Sequence, residues 1–307
     1  MSLPSAPLTP EVLVAPSPPS ARRRFGGFLH RRPHLRLGAL LAGPVGWLAL
    51  AYLGSLFILL LNAFWAKDPF TGRVEPFEWS LAAFETLLSN PVYGVIAVRT
   101  VTMAILVTIT DIILAVPIAY YMARVASPRK RGLLVVAVLI PLWAAYLVKV
   151  YSWRIILQGN GLADWVLEPF GLKGPGLAEL ANSWLVLSYL WLPYMILPVY
   201  AGFERIPNSV LEASSDLGAR SLTTFRKVVL PLVFPALVAG SIFTFSLTLG
   251  DYITPDLVSD AKMIGNVIYD NAANVNLPLA AAYSLLPIAI MMIYLAVARR
   301  LGAFEAL

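Results

Sequence analysis

Two carboxylates, Asp111 and Asp251, interrupt long apolar stretches of this chain, and Trp143, Tyr146, Tyr151 and Tyr252 lie in or beside such stretches. A charge at membrane depth costs a few kcal/mol, so such a residue faces protein or water rather than lipid. Carboxylates and aromatic faces together form a cation-recognising chemistry, by charge attraction and by attraction of a cation to the ring face. Each group also has a plainer use. Asp111 either contacts a passing cation or pairs with another helix. The aromatics either line a pathway or serve in an interfacial belt and in helix packing. Lys149 and Arg154 either snorkel outward or pair with an external partner.

Catalytic chemistry finds little support. The chain has no cysteine, and its two histidines, His30 and His34, both lie near the N-terminus. Thiolate sites, disulfides and metal-ligand spacing are therefore missing. No glycine-rich phosphate loop is present, so any nucleotide chemistry belongs to another chain. The expectation is no catalytic residue, no metal and no cofactor of its own.

One polar stretch between two apolar runs has a mechanical pattern. Residues 212–231 read EASSDLGARSLTTFRKVVLP. Ser209 and Glu212 have the spacing of a capping box, with Pro207 blocking continuation of the preceding helix. Val210, Ala213, Ser214 and Leu217 share one helical face, which reads as a smooth surface for a partner's groove. Gly218 supplies a left-handed stop. Ser221 can cap a second helical piece running through Leu230 and Pro231 into the next apolar run. Arg220, Arg226 and Lys227 can pair with an acidic rim on that partner.

Composition places these features in a membrane. Of 307 residues, 59% are hydrophobic and 13% charged, with mean hydropathy +0.74; soluble domains carry about 25% charged residues. A helix needs roughly 20 residues to cross a hydrocarbon core of about 30 Å. Leu37–Trp65, Gly132–Val148, Ala181–Phe203, Val228–Gly250 and Asn271–Ala298 are free of charge, and Val95–Ala123 carries only Arg99 and Asp111 inside it. The expectation is six spans at about 37–64, 95–122, 133–157, 182–203, 231–251 and 279–298. The first, longer than a secretion-signal core, reads as uncleaved.

Orientation follows from lysine and arginine, which are retained on the cytoplasmic side. Arg22, Arg23, Arg24, Arg31, Arg32 and Arg36 precede the first span. Arg124, Arg129, Lys130 and Arg131 follow the second; Arg205, Arg220, Arg226 and Lys227 follow the fourth; Arg299 and Arg300 follow the sixth. Alternation puts all sixteen on one side, with both termini cytoplasmic. The net charge of +6 is thus a topology signal, with no call for nucleic acid. The opposite loops hold Asp68, Glu75, Glu78, Glu85, Asp164, Glu168, Glu179, Asp256, Asp260 and Asp270. They either attract a cationic solute or a docking partner, or merely mirror the basic bias.

Residues 1–36, rich in proline, serine and arginine, read as a flexible tail; 301–307 form a second short tail, and 204–230 the cytoplasmic coupling loop. Pro117, Pro141, Pro193, Pro198, Pro235 and Pro287 fall inside spans, where they kink helices. Segments 66–94 and 155–180 are long enough for short helices on the membrane surface, and 251–278 reads as a polar, asparagine-rich loop. No internal repeat is visible, so the inverted-repeat plan of secondary transporters is not indicated.

The Glu212-Ala213-Ser214, Gly218, Val228-x-Leu230-Pro231 spacing resembles the EAA loop of ATP-binding-cassette importer permeases, EAA-x3-G-x9-I-x-LP. Ser214 stands for the third alanine and Val228 for isoleucine. Pro141 to Trp153 (PLWAAYLVKVYSW), Leu249 to Val258 (LGDYITPDLV) and Pro117 to Tyr121 (PIAYY) are similar to segments of the spermidine/putrescine permeases of that class. Lys149 stands where those permeases usually have arginine, and Asp111 where an apolar residue is expected. The resemblance, over about residues 40–305, implies an all-α membrane protein with the six-helix type I importer permease fold in a bacterial inner membrane. It also implies two cytoplasmic ATPase subunits binding ATP and magnesium, a second related permease, and an extracytoplasmic solute-binding protein. The implied cargo is a small cationic solute, a polyamine such as spermidine or putrescine. Rival cargoes are 2-aminoethylphosphonate, another opine-like or amino compound, or ferric iron. The rival mechanism is a secondary transporter driven by an ion gradient.

Overall fold

The computed structural model describes residues 33–300 except 69–70, 72–73, 160, 163–164, 166–168 and 170–178. The expected tail at 301–307, residues 1–32 of the expected N-terminal tail, and much of 155–180 lie outside the described residues. The first helix begins at Pro33, inside the stretch expected to be tail. The chain divides into two compact units, one ending at Ile58 and one starting at Leu59.

The first unit contributes α1 (Pro33–Trp47), a π-helical stretch (Leu48–Leu53) and the start of α2 (Gly54–Leu61). From Leu37 to Gly54 its sequence carries no charged residue, and Leu40, Trp47 and Leu50 are exposed. A helix apolar on every face suits lipid.

In the second unit, Trp65–Lys67 (β1) pairs antiparallel with Val74–Trp79 (β2), with Trp65 opposite Trp79. A hairpin thus occupies part of the segment read as long enough for short surface helices. Helix α3 (Ala82–Ser89) follows. Helix α4 (Pro91–Tyr120) starts where the Asn90 side chain accepts from Val92 N at 3.0 Å and Pro91 fills the first turn, a position that needs no N–H donor. A π-turn, Tyr121–Val125, extends it to a helix of 35 residues.

The third expected span is two helices. α5 (Pro128–Trp143) and α6 (Tyr146–Leu157) meet at 91°, with Ala144 and Ala145 extended between them. Sixteen residues of α5 rise only about 24 Å, short of a full hydrocarbon core. The fourth, fifth and sixth spans are α7 (Glu179–Arg205), α10 (Leu230–Gly250) and α13 (Leu277–Arg300). Between α7 and α10 lie α8 (Asn208–Asp216) and α9 (Ser221–Thr224), the latter running through a π-turn into α10, so that Ser221–Gly250 is one continuous helix. The segment expected as a polar loop after α10 holds α11 (Ile253–Val258) and α12 (Ile264–Ala273). Each of the six span prolines does lie within a helix.

Helices α4, α7 and α10 form the centre. Ala115, Ala119, Met122, Met195, Val199, Phe203, Val233 and Leu237 pack at one end, and Ile96, Ala104, Phe245, Leu249 and Ile264 at the other. Small residues set the spacing: a Cβ on Gly240 would stand 3.2 Å from Met195 Cα, and one on Gly202 2.6 Å from Ala236 Cβ. Small residues at such crossings let backbones approach without lipid between them.

Candidate coupling elbow and solute pocket

Helix α8 is the element the sequence marks as mechanical. Its C-terminus is a full Schellman turn: Ala219 N donates to Ser214 O at 3.1 Å and Gly218 N to Ser215 O at 2.8 Å. Gly218 takes φ +76°, a conformation that costs a residue with a Cβ. The glycine stop is as expected. The start differs. α8 begins two residues earlier than a Ser209 cap requires, with Pro207 at the cap position and no side-chain cap. Ser209 and Glu212 are exposed and, among the described residues, make no side-chain hydrogen bond, so no capping box forms. Ser221 likewise lies inside α9 rather than capping it.

The partner-facing surface also differs from expectation. Ser214 is buried and its hydroxyl meets Thr224 Oγ1 at 2.8 Å. It joins α8 to α9 instead of facing outward. Ala213 stays exposed, and Leu217 projects with 88% of its surface free. Leu230 and Pro231 open α10, the proline in the first turn where its missing N–H is harmless.

At the opposite end of α10, Asp251 is 92% buried by relative surface, at 8% exposure, and fully engaged. Tyr146 Oη donates to it at 2.6 Å, Thr254 Oγ1 at 2.9 Å, Ile253 N at 3.0 Å and Thr254 N at 3.1 Å. Two of these donors are first-turn N–H groups of α11, so Asp251 caps that helix as well as carrying charge. The Tyr146 ring stacks on Trp191 at 6.0 Å and 15°. A cavity of about 270 Å³ opens beside them, lined by Tyr146, Trp191, Ser246, Asp251, Tyr252 and Ile253, among others. Tyr252 stacks on Tyr269 with centroids 4.5 Å apart.

Three of the six expected pathway residues, Tyr146, Asp251 and Tyr252, thus share one cavity although Tyr146 lies 105 residues from Asp251 in sequence. The other three do not. Trp143 ends α5 with 89% of its surface exposed, and Tyr151 is exposed on α6. Asp111 is wholly buried in the α4 core stripe, between Thr108 and Ala115, and neither of its oxygens has a hydrogen-bond partner among the described residues. Of the two readings of Asp111, pairing with another helix is not made among the described residues. Of the acidic loop groups, Asp256 and Asp270 both pair with Lys262, at 3.0 and 3.2 Å, and the bond to Asp256 above all holds that ammonium above its usual range. Trp191, Thr254 and Thr224 escaped the sequence reading. Only the aromatic run Tyr189, Trp191, Tyr194 offered a signal for the first.

Comparison with known proteins agrees with this architecture. The family described as "Binding-protein-dependent transport system inner membrane component" matches residues 92–304. Inner membrane ABC transporter permease protein YdcU of Escherichia coli (strain K12) is 46% identical, over 96% of this chain and 99% of that one. Spermidine/putrescine transport system permease protein PotB is 33% identical in Haemophilus influenzae, over 60% of this chain and 65% of that one, and 29% in Escherichia coli K12, over 78% and 88%. A solved bacterial alginate ABC transporter, in complex with its alginate-bound periplasmic protein, superposes with TM-score 0.69 at 17% identity, covering 92% of this chain and 98% of that one. The chain therefore belongs to the binding-protein-dependent inner-membrane transport components, as the multi-pass, non-catalytic permease subunit of a type I ATP-binding-cassette importer.

Proposed function

We propose that this permease carries a small cationic solute, a polyamine of the spermidine/putrescine class, into the cytoplasm. The observation that carries the reading is the cavity where the stacked pair Tyr146 and Trp191 meets Asp251 and Tyr252. Aromatic faces and a carboxylate attract an alkylammonium, and desolvation raises a cation–π contact to about 2 kcal/mol. The names of the PotB relatives point the same way. In this reading the arginine-rich end is cytoplasmic, and two ATPase subunits seat there against α8. A second related permease completes the pathway, and a solute-binding protein docks at the end carrying Asp251.

The test is a thermal-shift screen of the cognate binding protein against spermidine, putrescine, 2-aminoethylphosphonate and ferric iron. A shift with a polyamine is expected; none with either polyamine, beside a clear shift with another solute, would reassign the cargo. In the permease, Asp251→Asn keeps an acceptor for the α11 N–H groups but removes the charge. Uptake should fall about 10- to 150-fold, the range for one lost charged contact, while thermal stability changes little. Asp251→Ala should lose both cargo and the α11 cap, costing about 0.5–2 kcal/mol.

A further inference from the structure

The bend between α7 and α8 is held by a side chain from a different span. Arg124 lies in the π-turn that ends α4. Its Nη2 donates to Phe203 O and Ile206 O, and its Nη1 to Asn208 Oδ1 at 2.9 Å. Phe203 is in the last turn of α7, where carbonyls lack helical donors. Ile206 lies in the bend itself, and Asn208 is the first residue of α8. One planar guanidinium therefore bridges both sides of the Ile206-Pro207 elbow, a fork that a lysine cannot reproduce.

A second arginine backs the first. Arg131, in the first turn of α5, donates from Nε to Met122 O at 3.1 Å and from Nη2 to Ala123 O at 2.8 Å, and pairs with Glu204 at 3.2 Å. It thus fixes the turn that carries Arg124 against both α5 and α7. A C-terminal arginine normally caps its own helix; Arg124 instead reaches 84 residues along the chain to the start of α8. The tie on the other side of α8 is the neutral Ser214–Thr224 hydroxyl pair. Hydrogen bonds with an ionised donor are roughly twice as strong as neutral ones. Helix α8 is therefore held more firmly to the second span than its place in the sequence, just before the fifth, suggests.

We infer that Arg124 is a positioning residue that makes the second span follow α8, so that displacement of α8 enters the bundle through α4 as well as through α10. This rests on the reading of α8 as the element that an ATPase subunit moves.

Because the chain has no cysteine, an introduced thiol is unique within it. In the importer reconstituted with its ATPase, second permease and binding protein, Tyr121→Cys reports on the end of α4 and Leu217→Cys on α8. ATP with loaded binding protein should change the thiol-labelling rate at both positions. Adding Arg124→Ala should shrink the ATP response at position 121 by about 2- to 30-fold, the range for residues on a transmission route, and leave that at 217. Arg124→Lys should restore it in part. Should Arg124→Ala fail to assemble, Asn208→Ala removes the α8 end of the fork without touching the guanidinium, and should give a partial loss at 121. An unchanged response at 121 with Arg124→Ala, or with Asn208→Ala where that variant stands in, overturns the inference while α8 keeps its role. No response at 217 in the parent overturns the reading of α8 and the inference with it.

Discussion

Gly218 is the residue on which α8 most depends. Its φ of +76° costs a residue with a Cβ about 1–2 kcal/mol, and more when the side chain is β-branched. Open space surrounds the position, so Gly218→Val meets backbone strain and no clash. The Schellman bonds at Ser214 and Ser215 should loosen, freeing α8 from α9. Uptake per ATP hydrolysed should fall about fivefold or more, as for loss of a typical coupling energy, while the chain still inserts; comparing uptake with ATPase rate in proteoliposomes checks this. Normal transport by that variant would count against α8 as a lever. The glycine was legible because few residues tolerate its conformation. The Ser209 cap was misread because Pro207, already extended at ψ 144°, starts the helix two residues early. Ser209 then falls inside the first turn, and the side chain at the helix start, Asn208, is taken by Arg124 instead. Hydrogen bonds drawn from another span leave no local sequence pattern.

The same limit operates on whole elements. Five long spans could be read from apolar length, because length against bilayer thickness is a one-dimensional criterion. The break in the third could not. Ala144 and Ala145 are good helix formers, and Pro141 alone marks a kink without its size. The right-angled turn depends on contacts that α6 makes with distant segments: buried Val150, and Tyr146 bound to Asp251 at the head of α11. If α6 lies across the bundle end, Ser152→Cys on its exposed face should react with a membrane-impermeant thiol reagent added outside, whereas Val136→Cys in the middle of α5 should not. Equal protection of both would restore a continuous third span. The hairpin was missed for a related reason, since segment 66–94 was read by its length as room for surface helices, and the pairing of Val74–Trp79 with Trp65–Lys67 leaves no mark on length. Packing between α7 and α10 gives a stability test at this scale. Gly240→Ala places a methyl 2.6 Å from Met195 Sδ, which can swing away, but also 3.2 Å from Met195 Cα, which cannot. Overpacking of this kind costs about 1–3 kcal/mol, and the thermal unfolding midpoint in detergent should drop accordingly.

For the molecule as a whole, the question is where its energy enters. The chain has no phosphate-binding loop and no cluster of catalytic groups, and its family supplies the membrane component of a binding-protein-dependent system. A secondary transporter needs no second energy source, because an ion gradient acts on groups within its own spans. Here the buried carboxylates do not form such a set: Asp251 stands at the head of α11 in the proposed cargo cavity, and Asp111 lies apart from it in the α4 core without a partner among the described residues. The features with mechanical geometry, α8 with its glycine stop and the arginine fork beneath it, all gather at the arginine-rich end of the bundle. On the proposed function, force arrives from a protein docked at that end, and cargo from the end where Tyr146 and Asp251 meet. The purified chain in liposomes should accordingly give no uptake under an imposed proton or sodium gradient. Uptake should appear when the ATPase, second permease and loaded binding protein are added with ATP, and should persist when a protonophore collapses the gradient. Gradient-driven uptake by the chain alone would place the energy source inside the bundle and remove the need for the elbow.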